Sequence, residues 1–266
     1  MKTDNISKRM KKYEFATRSF LTERMPVIIR LDGKAFHTFT KGFYRPFDEI
    51  LRRTMVKTAE YLCANIMNCK LAYTQSDEIS LLLINYEKID TDSWYQNNLQ
   101  KLVSVSASMA TLAFNYYFEK IVGEEFNCND WERLPYWNSK FDNNEGYFKL
   151  ATFDSRAFVL PKEEVCNYFI WRQEDCTKNS INMVAQSEFP HGELQHLNTD
   201  QLQEKLFQER SINWNNFPTV NKRGSCITRI AYDKNGVERH KWAEDTEIPI
   251  FTKDRNYIER FVFIGD

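Results

Sequence analysis

Two apolar runs joined by a short acidic segment constrain the fold of this chain most strongly. Leu71-Ala72-Tyr73 leads into Gln75-Ser76-Asp77-Glu78, and a second apolar run continues from Ile79 to Ile84. This pattern predicts two buried strands connected by a tight turn. A rigid turn can hold adjacent carboxylates in place, although Asp and Ser are also common at the solvated tips of ordinary hairpins. The pattern therefore predicts the hairpin and leaves the role of its acids between these two alternatives.

A second strand-like segment also ends in a carboxylate. Val27 to Leu31 is mostly apolar and is followed by Asp32 and Gly33, a glycine whose backbone could approach a ligand closely. Mg²⁺ takes hard oxygen ligands and leaves positions open for phosphates, so carboxylates at neighbouring strand ends suit a pair of Mg²⁺ ions. Asp32, Gly33 and Asp77 are the candidate metal residues.

Several cations lie close to this segment in the sequence. Lys34, His37 and Lys41 follow Gly33 and could meet a triphosphate. Lys101 stands near the start of a long predicted helix from Trp94 to about Phe118. It is either a surface lysine or a nucleotide-phosphate contact.

The first half of the chain has the order strand, helix, strand, strand. Pro46 is placed in the first turn of the helix, because proline is favoured there. Apolar residues then recur at helical spacing, namely Ile50, Leu51, Met55, Ala59, Leu62 and Ile66. The order predicts an α+β fold in which a helix packs on an antiparallel or mixed sheet.

The second half contains further helices and a hairpin. Residues 122–146 lack a clear period and are predicted to be a loop or a connection between lobes. Phe148 to Leu160 predicts a strand interrupted by Asp154-Ser155-Arg156, where Asp154 is either a third acid at a strand end or, as we favour, a turn aspartate. Helices are predicted after Pro161 and from Thr199 to Gln208. Asn-Gly accepts positive φ, so the segments Ser225–Tyr232 and Val237–Trp242 predict a hairpin around residues 233–236.

Two basic segments are candidates for RNA contact. The stretch from Asn5 to Leu21 predicts a basic helix that either faces solvent or touches phosphates. Asn213–Pro218 and Lys222–Gly224 predict a polar, aromatic loop that could stack bases, or an ordinary Pro/Gly loop.

Composition excludes several other classes of protein. A length of 266 residues suits one large or two small domains, and 42% hydrophobic side chains is typical of a globular protein. The net charge of -1 does not by itself indicate a nucleic-acid partner. The six cysteines form no C-x-x-C pair, and His191 and His196 have no third ligand nearby, so reduced thiols are expected and a zinc site is not. Since no segment has the length of a membrane span, we expect a cytoplasmic protein with no membrane partner.

Taken together, these segments resemble the tRNA-histidine guanylyltransferase superfamily, the reverse (3′-to-5′) nucleotide polymerases. The most specific segments are Arg30-Leu-Asp-Gly-Lys-Ala-Phe-His37, Tyr73-Thr-Gln-Ser-Asp-Glu78 and Trp171-Arg-Gln-Glu-Asp-Cys176, with support from Ile212-Asn-Trp-Asn215 and Lys222-Arg-Gly224. The resemblance implies a palm-like (ferredoxin-like) antiparallel sheet with packed helices. It divides a single catalytic unit into a core of about residues 1–160 and a C-terminal region, about 161–266, that contacts RNA.

The resemblance also assigns roles to individual residues. Asp32 and Asp77 match metal carboxylates, and Gly33 matches a backbone-carbonyl contact to the metal. The positions around the nucleotide phosphates or the metal are His37, Ser76, Glu78 and Lys101. Asn213 matches an asparagine that affects activation or binding. The implied cofactors are two Mg²⁺ ions with ATP, GTP or other NTPs as substrates, and the implied partners are the tRNA 5′ end and acceptor stem in a homotetramer.

Departures from the eukaryotic pattern indicate which branch of the superfamily is closest. Thr177–Met183 replaces a His-Ile-Asn-Asn-Leu-Tyr-Asn motif, Asn98 replaces an arginine and Leu202 replaces a lysine. The chain is more similar to the "like protein" branch, which implies template-dependent repair of tRNA 5′ ends. The alternatives are untemplated addition of G to tRNA-histidine, a palm-fold nucleotide cyclase, and an RNA-binding protein without catalysis.

Overall fold

A six-stranded antiparallel sheet forms the centre of the molecule. The computed structural model describes residues 3–127, 141–142, 147–148 and 150–264. The strand order is β6-β1-β3-β2-β7-β8, and β4 and β5 form a separate two-stranded sheet. The strands are β1 (Val27–Gly33), β2 (Cys69–Gln75), β3 (Glu78–Leu83), β4 (Phe141–Asp142), β5 (Tyr147–Phe148), β6 (Phe153–Val159), β7 (Ser225–Lys234) and β8 (Val237–Asp245). The predicted α+β class and both predicted hairpins are confirmed, and the sheet is antiparallel throughout.

Helices cover both faces of this sheet. The helices are α1 (Thr3–Ala16), α2 (Phe36–Phe39), α3 (Glu49–Asn65), α4 (Leu99–Asn127), α5 (Lys162–Glu188), α6 (His191–Leu194), α7 (Thr199–Arg210), α8 (Thr219–Arg223) and α9 (Asn256–Glu259). Short 3₁₀ turns are formed by Trp94–Asn97 and Trp214–Asn216. The prediction that Pro46 opens α3 is wrong. Asp48 is the N-cap instead, because its Oδ1 accepts from the Leu51 N–H at 3.0 Å and satisfies a donor of the first turn.

Alternation along the central strands fills two separate apolar layers. Ile29, Leu31, Ile79 and Leu81 share a buried cluster with side chains of α3 and α4. Ile28, Tyr73 and Leu82 pack on the opposite face, against α5 and the C-terminal segment, where Val165, Phe169, Ile248, Phe251 and Ile258 are buried. Strands buried on both faces are apolar nearly throughout, so a polar residue inside one of them stands out.

A third cluster joins the second half of α5 to α7. Ile181, Val184 and Ala185 pack against Leu202 and Leu206. Asn198 caps α7 in a capping box with Gln201, which agrees with the predicted start at Thr199. Leu202 is therefore a packing residue at the position where the eukaryotic pattern has a lysine.

The structure corrects three sequence expectations. Helix α4 continues to Asn127 and β4 is formed by Phe141–Asp142, so these parts of the segment 122–146 are not a loop; residues 128–140 and 143–146, with Cys128, Trp131 and Trp137, lie outside the described residues. Asp154 lies inside β6 and not in a turn, because β6 pairs with β1 continuously through this position. Lys222 and Arg223 lie in helix α8 and not in a loop.

Two further observations concern cysteines and membrane spans. The five cysteines within the described ranges (63, 69, 166, 176 and 226) are free and buried. No helix in the described part of the chain combines the length and apolarity required for a bilayer crossing.

Candidate active site

The β2–β3 turn and the end of β1 bring two carboxylates to the same end of the sheet. Ser76 takes a left-handed conformation (φ 49°) in the turn. The Gly33 N–H donates to the Asp77 carbonyl oxygen at 3.1 Å, which ties the turn to the end of β1. In the strand register Asp32 lies opposite Glu78. The structure therefore places Asp32 and Asp77 beside each other, as the sequence predicts.

Burial and charge both act on Asp77. Burial raises the pKa of the Asp77 carboxyl above its usual range, and the negative charge of Asp32 raises it further. A hydrogen bond of 3.1 Å from the Ser76 hydroxyl to Oδ1 partly offsets this. Two acids that repel each other in this way provide a favourable position for a divalent cation.

The donor set fits Mg²⁺ and not a metal that needs an all-protein cage. Within the residues that the structure describes, no group of three His, Cys, Asp or Glu side chains could hold a metal ion. Mg²⁺ does not need such a group, because one or two carboxylates, water and substrate phosphates complete its shell. Asp32, Asp77 and the Gly33 carbonyl are thus compatible with Mg²⁺ bound together with a nucleotide.

Gly33 has a packing reason for lacking a side chain. A Cβ at this position would lie 2.2 Å from the Phe36 ring. Phe36 is buried and contacts the rings of Phe39, Phe114 and Phe153 at centroid distances of 5.2 to 5.3 Å. This aromatic cluster fixes the exit of the chain from β1 and therefore the position of Asp32.

Glu78 is buried and paired with Arg172. The Arg172 Nε lies 2.7 Å from Glu78 Oε1, and a terminal guanidinium nitrogen lies 2.7 Å from Asp175. Burial raises the pKa of Glu78 and the Arg172 charge opposes the increase. The structure thus explains why a Trp-Arg-Gln-Glu-Asp segment of α5 accompanies the acidic turn: Arg172 fixes the first residue of β3. A direct catalytic role for Glu78 stays a prediction.

Polar residues of three strands form two rows across the sheet. Asp32 lies between Glu78 and Asp154 in the register, and Arg30 lies between Ser80 and Arg156. Directly opposite residues on antiparallel strands lie about 4.5–5.5 Å apart at Cα, so like charges in one row repel each other unless cations compensate. Arg172 and the row that contains Arg30 provide those cations.

Arg30 is a candidate site residue that the sequence interpretation missed. Its Nε is buried and has no hydrogen-bond partner among the described residues, and its guanidinium lies 5.8 Å from the Trp171 ring. Trp171 is 52% exposed, so the Arg30–Trp171 pair borders solvent. The available signal was a charge inside the apolar run Val27–Leu31, since buried cations normally need a partner.

Two cavities meet at the turn. The larger, of about 510 Å³, is lined by His37, Ser76 and Asp77 together with residues 43–46. The smaller, of about 330 Å³, lies between α3, α5 and α8 and is lined by Met55, Gln75 and Asn179 among others. Both include Asp48, Leu51, Ser76 and Met183. The two cavities therefore adjoin at Ser76.

The remaining predicted residues lie at varied distances from the carboxylates. Lys34 directly follows β1 and Lys41 follows α2; both are exposed, and neither lines the two cavities. Lys101 lies away from the carboxylates along α4. Phe153 pairs with Gly33 in the sheet, and its N–H donates to the Thr111 hydroxyl, so Thr111 is the part of α4 that lies level with the end of β1. Lys101 is ten residues before Thr111. Ten helical residues correspond to about 15 Å.

Asn213 lies outside both cavities. Its side chain accepts from the Asn215 N–H at 3.0 Å and caps a 3₁₀ turn. The following residue, Trp214, donates from Nε1 to the Ser180 hydroxyl at 3.0 Å, and Ser180 lines the smaller cavity. Asn213 is thus connected to the site through the wall of that cavity.

Comparison with known proteins assigns the family. The family described as tRNAHis guanylyltransferase (Thg1) matches residues 7–161, which include the Asp32 and Asp77 segments. The chain belongs to the tRNAHis guanylyltransferase family. A tRNA(His) guanylyltransferase of Debaryomyces hansenii is 29% identical over 244 residues, covering 86% of this chain and 83% of the relative.

Solved structures in the family support the same assignment and the fold. A bacterial Thg1-like protein in complex with ATP is 50% identical with a TM-score of 0.83, covering 98% of this chain and 100% of that one. A bacterial Thg1-like protein in complex with GTP is 47% identical with a TM-score of 0.80, at the same coverage. These matches confirm the expected superfamily, its palm-like fold and the nucleotidyltransferase class of this member.

Proposed function

We propose that the protein adds nucleotides to the 5′ end of tRNA in the 3′-to-5′ direction, each chosen by pairing with the opposite strand. The observation that carries the proposal is the Asp32–Asp77 pair, of which Asp77 lines a cavity of about 510 Å³. The bacterial relatives with bound ATP and GTP support nucleoside triphosphates as substrates.

The proposed reaction has two transfers. A 5′-monophosphate of the RNA attacks the α-phosphate of ATP or GTP, so that a phosphoanhydride forms and pyrophosphate leaves. The 3′-hydroxyl of an incoming NTP then attacks the activated 5′ phosphate and displaces the nucleoside monophosphate. Both are in-line displacements in which positioning and electrostatics dominate.

Each group at the site has a role in these transfers. Mg²⁺ ions held by Asp32, Asp77 and the Gly33 carbonyl would neutralise phosphate oxygens. Ser76 and His37 line the cavity beside Asp77 and can donate hydrogen bonds to a triphosphate. Arg30 has a buried donor without a partner among the described residues, and a phosphate oxygen would satisfy it.

Templated addition is supported by what lines the smaller cavity. Ser180 and Met183 stand at positions that depart from the eukaryotic motif, whereas Asn179 matches it, and all three line that cavity. Asn98 replaces an arginine, and its Oδ1 accepts from the Lys101 N–H at 3.1 Å. Without the eukaryotic groups, base pairing supplies the discrimination, at about 1–3 kcal/mol for each unpaired polar group.

The test is extension of a 5′-monophosphorylated tRNA that lacks its first nucleotide. Each NTP is supplied in turn with Mg²⁺, opposite each of the four templating bases. We expect at least tenfold preference for the complementary nucleotide, since 1.4 kcal/mol corresponds to about a factor of 10. Equal addition of G opposite all four bases, with a requirement for tRNA-histidine, would show that the protein is an untemplated guanylyltransferase.

We further propose that the chain works as a homotetramer. Helix α4 exposes Ser104, Ser108, Leu112 and Tyr116 along one face, and no charged residue occurs between Lys101 and Glu119. An exposed uncharged helix face of this length is typical of a protein interface. Light scattering should give four times the mass of the chain, and Leu112→Glu should lower that mass; a monomeric wild-type protein would contradict the proposal.

A further inference from the structure

The smaller of the two cavities at the acidic turn has a largely apolar wall. Its volume is about 330 Å³, which lies at the lower end of the range of about 300–1,000 Å³ for pockets that bind small molecules. The apolar part of the wall is formed by Phe47, Leu51, Met55, Val56, Met183 and Val220. Such a wall suits a flat, uncharged ring better than a charged group.

Three neutral polar side chains also line this cavity. Gln75 ends β2, Asn221 lies in α8 and Ser225 begins β7. Gln75 is 8% exposed and Ser225 3%, and Asn221 is half-buried. None of the three side chains has a hydrogen-bond partner among the described residues. Because buried polar groups in proteins normally have partners, a bound molecule with donors and acceptors on its edge would complete this wall.

Close packing between β2 and the start of β7 brings these side chains together. Ser225 pairs with Thr74, which precedes the glutamine. Between α8 and β7, Gly224 has a φ of 76°, and a Cβ there would lie 2.6 Å from the Thr74 carbonyl oxygen. The Tyr73 hydroxyl donates to the Arg223 carbonyl oxygen at 2.7 Å, which holds the end of α8 against β2. The three polar groups are therefore carried by backbone elements that pack directly on each other.

Charges around the two cavities differ, and they favour different parts of a nucleotide. The larger cavity is lined by His37 and Arg45, so it offers positive and hydrogen-bonding groups to phosphates. In the smaller cavity the one cation among the described lining residues is Arg52, and its guanidinium is held by Glu49 at 2.8 Å and Glu244 at 2.6 Å. The smaller cavity therefore suits an uncharged group with a hydrogen-bonding edge, and a nucleobase is such a group.

We propose that the smaller cavity binds the purine base of the activating nucleotide, whose triphosphate lies in the adjoining larger cavity. The identity of this nucleotide rests on the proposed function. Of the two nucleotides in that reaction, the incoming one uses the edge of its base to pair with the opposite strand. The activating nucleotide has no template, so protein groups have to hold its base.

The Gln75 amide can serve both purines. A carboxamide has a donor and an acceptor side by side, which matches the Watson–Crick edge of adenine; after rotation by about 180° it matches that of guanine, where the order of donor and acceptor is reversed. Asn221 and Ser225 provide further groups at the same cavity. The bacterial relatives in complex with ATP and with GTP agree with a site that accepts either base.

Binding of nucleotides without RNA tests the base site. The probes are ATP, GTP and inorganic tripolyphosphate, each with Mg²⁺, and their dissociation constants are measured by calorimetry. Gln75→Leu keeps much of the side-chain volume and removes both polar atoms of the amide. We expect it to raise the dissociation constants for ATP and GTP by about tenfold and to leave that for tripolyphosphate at the wild-type value. Equal losses for all three probes, or no loss for any, would overturn the proposal.

Two further variants guard against a general effect of the substitution. Gln208→Leu makes the same change on the exposed side of α7, lines neither cavity, and should bind all three probes as the wild type does. Asn221→Leu removes a polar group of the same cavity from a different element, and it should weaken ATP and GTP but not tripolyphosphate. Thermal unfolding without ligand shows whether each variant is folded. If Gln75→Leu is not, Asn221→Leu decides, and wild-type affinity for ATP and GTP in that variant would overturn the proposal.

The phosphorylation state of the RNA separates the activating from the incoming nucleotide. A tRNA that lacks its first nucleotide but carries a 5′-triphosphate needs no activation, because pyrophosphate can leave when the 3′-hydroxyl of the incoming NTP attacks. CTP is the templated nucleotide and ATP is kept below saturation. Gln75→Leu should lower the ratio of extension of 5′-monophosphorylated to 5′-triphosphorylated tRNA by about tenfold. An unchanged ratio with both rates reduced would assign the cavity to the incoming nucleotide and overturn the proposal.

The same data separate this proposal from the proposed function. If the wild-type protein extends neither RNA but Gln75→Leu loses affinity for ATP and GTP alone, the base site stands and the proposed function fails. If templated extension is confirmed and Gln75→Leu binds every probe like the wild type, the function stands and the base site fails.

Discussion

Two groups of positive side chains on the same side of the sheet differ in nearly every physical respect. At the site, the Arg172 side chain is only 6% exposed and is paired with two carboxylates at 2.7 Å. On the β7–β8 hairpin, Arg239 and Lys241 are exposed and form no ion pair within the described residues. A buried, paired arginine fixes the position of its partner, whereas exposed cations attract a mobile polyanion. We therefore expect substitution of Arg172 to change the free energy of unfolding strongly, and substitution of Arg239 or Lys241 to change the binding of a polyanion.

Removal of Arg172 should give the largest effect on stability. Arg172→Met leaves Glu78 buried without its partner, and breaking a buried ion pair in this way typically destabilises a protein by about 3–5 kcal/mol. In a chain of this size 1 kcal/mol corresponds to about 2–4 °C. Thermal unfolding should show the decrease, and Arg239→Met should change the unfolding free energy by less than about 0.5 kcal/mol. Similar changes in both variants would remove the distinction between the two groups.

A double variant sharpens this prediction. If the loss in Arg172→Met comes from the unpaired Glu78, then adding Glu78→Gln should recover part of the stability, since the remaining buried group is neutral. A double variant no more stable than Arg172→Met would indicate that packing around α5, and not the ion pair, causes the effect.

Gly33→Ala should have an intermediate effect. The new Cβ would lie 2.2 Å from the Phe36 ring, so the aromatic cluster has to shift. Overpacking of a core typically destabilises by about 1–3 kcal/mol, and nucleotide addition should also fall because the end of β1 carries Asp32. Gly192→Ala is the matched control for nucleotide addition, because its Cβ meets nothing within 4 Å. Unchanged activity in Gly33→Ala would contradict the packing argument.

Asp77→Asn should give the smallest stability effect, with the opposite sign. The pKa of Asp77 is raised in the folded state, so its ionised form disfavours folding at neutral pH. Without Mg²⁺ the variant should be more stable than wild type at pH 7, by no more than about 2–4 °C in Tm. The advantage should shrink as pH falls from the raised pKa through the ordinary aspartate value of about 3.9, because below both values the wild-type carboxyl is protonated in both states. Saturating Mg²⁺ should stabilise only the wild type; a variant less stable at every pH would contradict this electrostatic account.

Much of the site could be predicted because its signals are local. The acidic turn between β2 and β3 and the end of β1 are short motifs, and the adjacent apolar runs alone place Asp32 at a strand end and Asp77 in the turn. Helix α3 was predicted from spacing, although its start depended on the capping hydrogen bonds of Asp48 and not on Pro46.

The remaining features depend on contacts between distant segments. The local sequence favours a turn at Asp154 because Asp and Ser are common in turns, but pairing with β1 keeps it in β6. The sequence places Arg30 in an apolar strand, and only the fold shows its buried Nε and the Trp171 ring beside it. Lys222 and Arg223 looked available for RNA until the structure showed the carbonyl oxygens to which they donate.

The most direct test of the central claim compares nucleotide addition with RNA binding in Asp32→Asn and Asp77→Asn. Single-turnover extension of the truncated tRNA is measured at saturating Mg²⁺, NTP and RNA, and RNA affinity is measured separately on the same samples. We predict that each variant binds the RNA with a wild-type salt slope and extends it at less than about a tenth of the wild-type rate, a barrier increase of at least 1.4 kcal/mol. Extension above that level in either variant would show that the two carboxylates do not form the catalytic metal site.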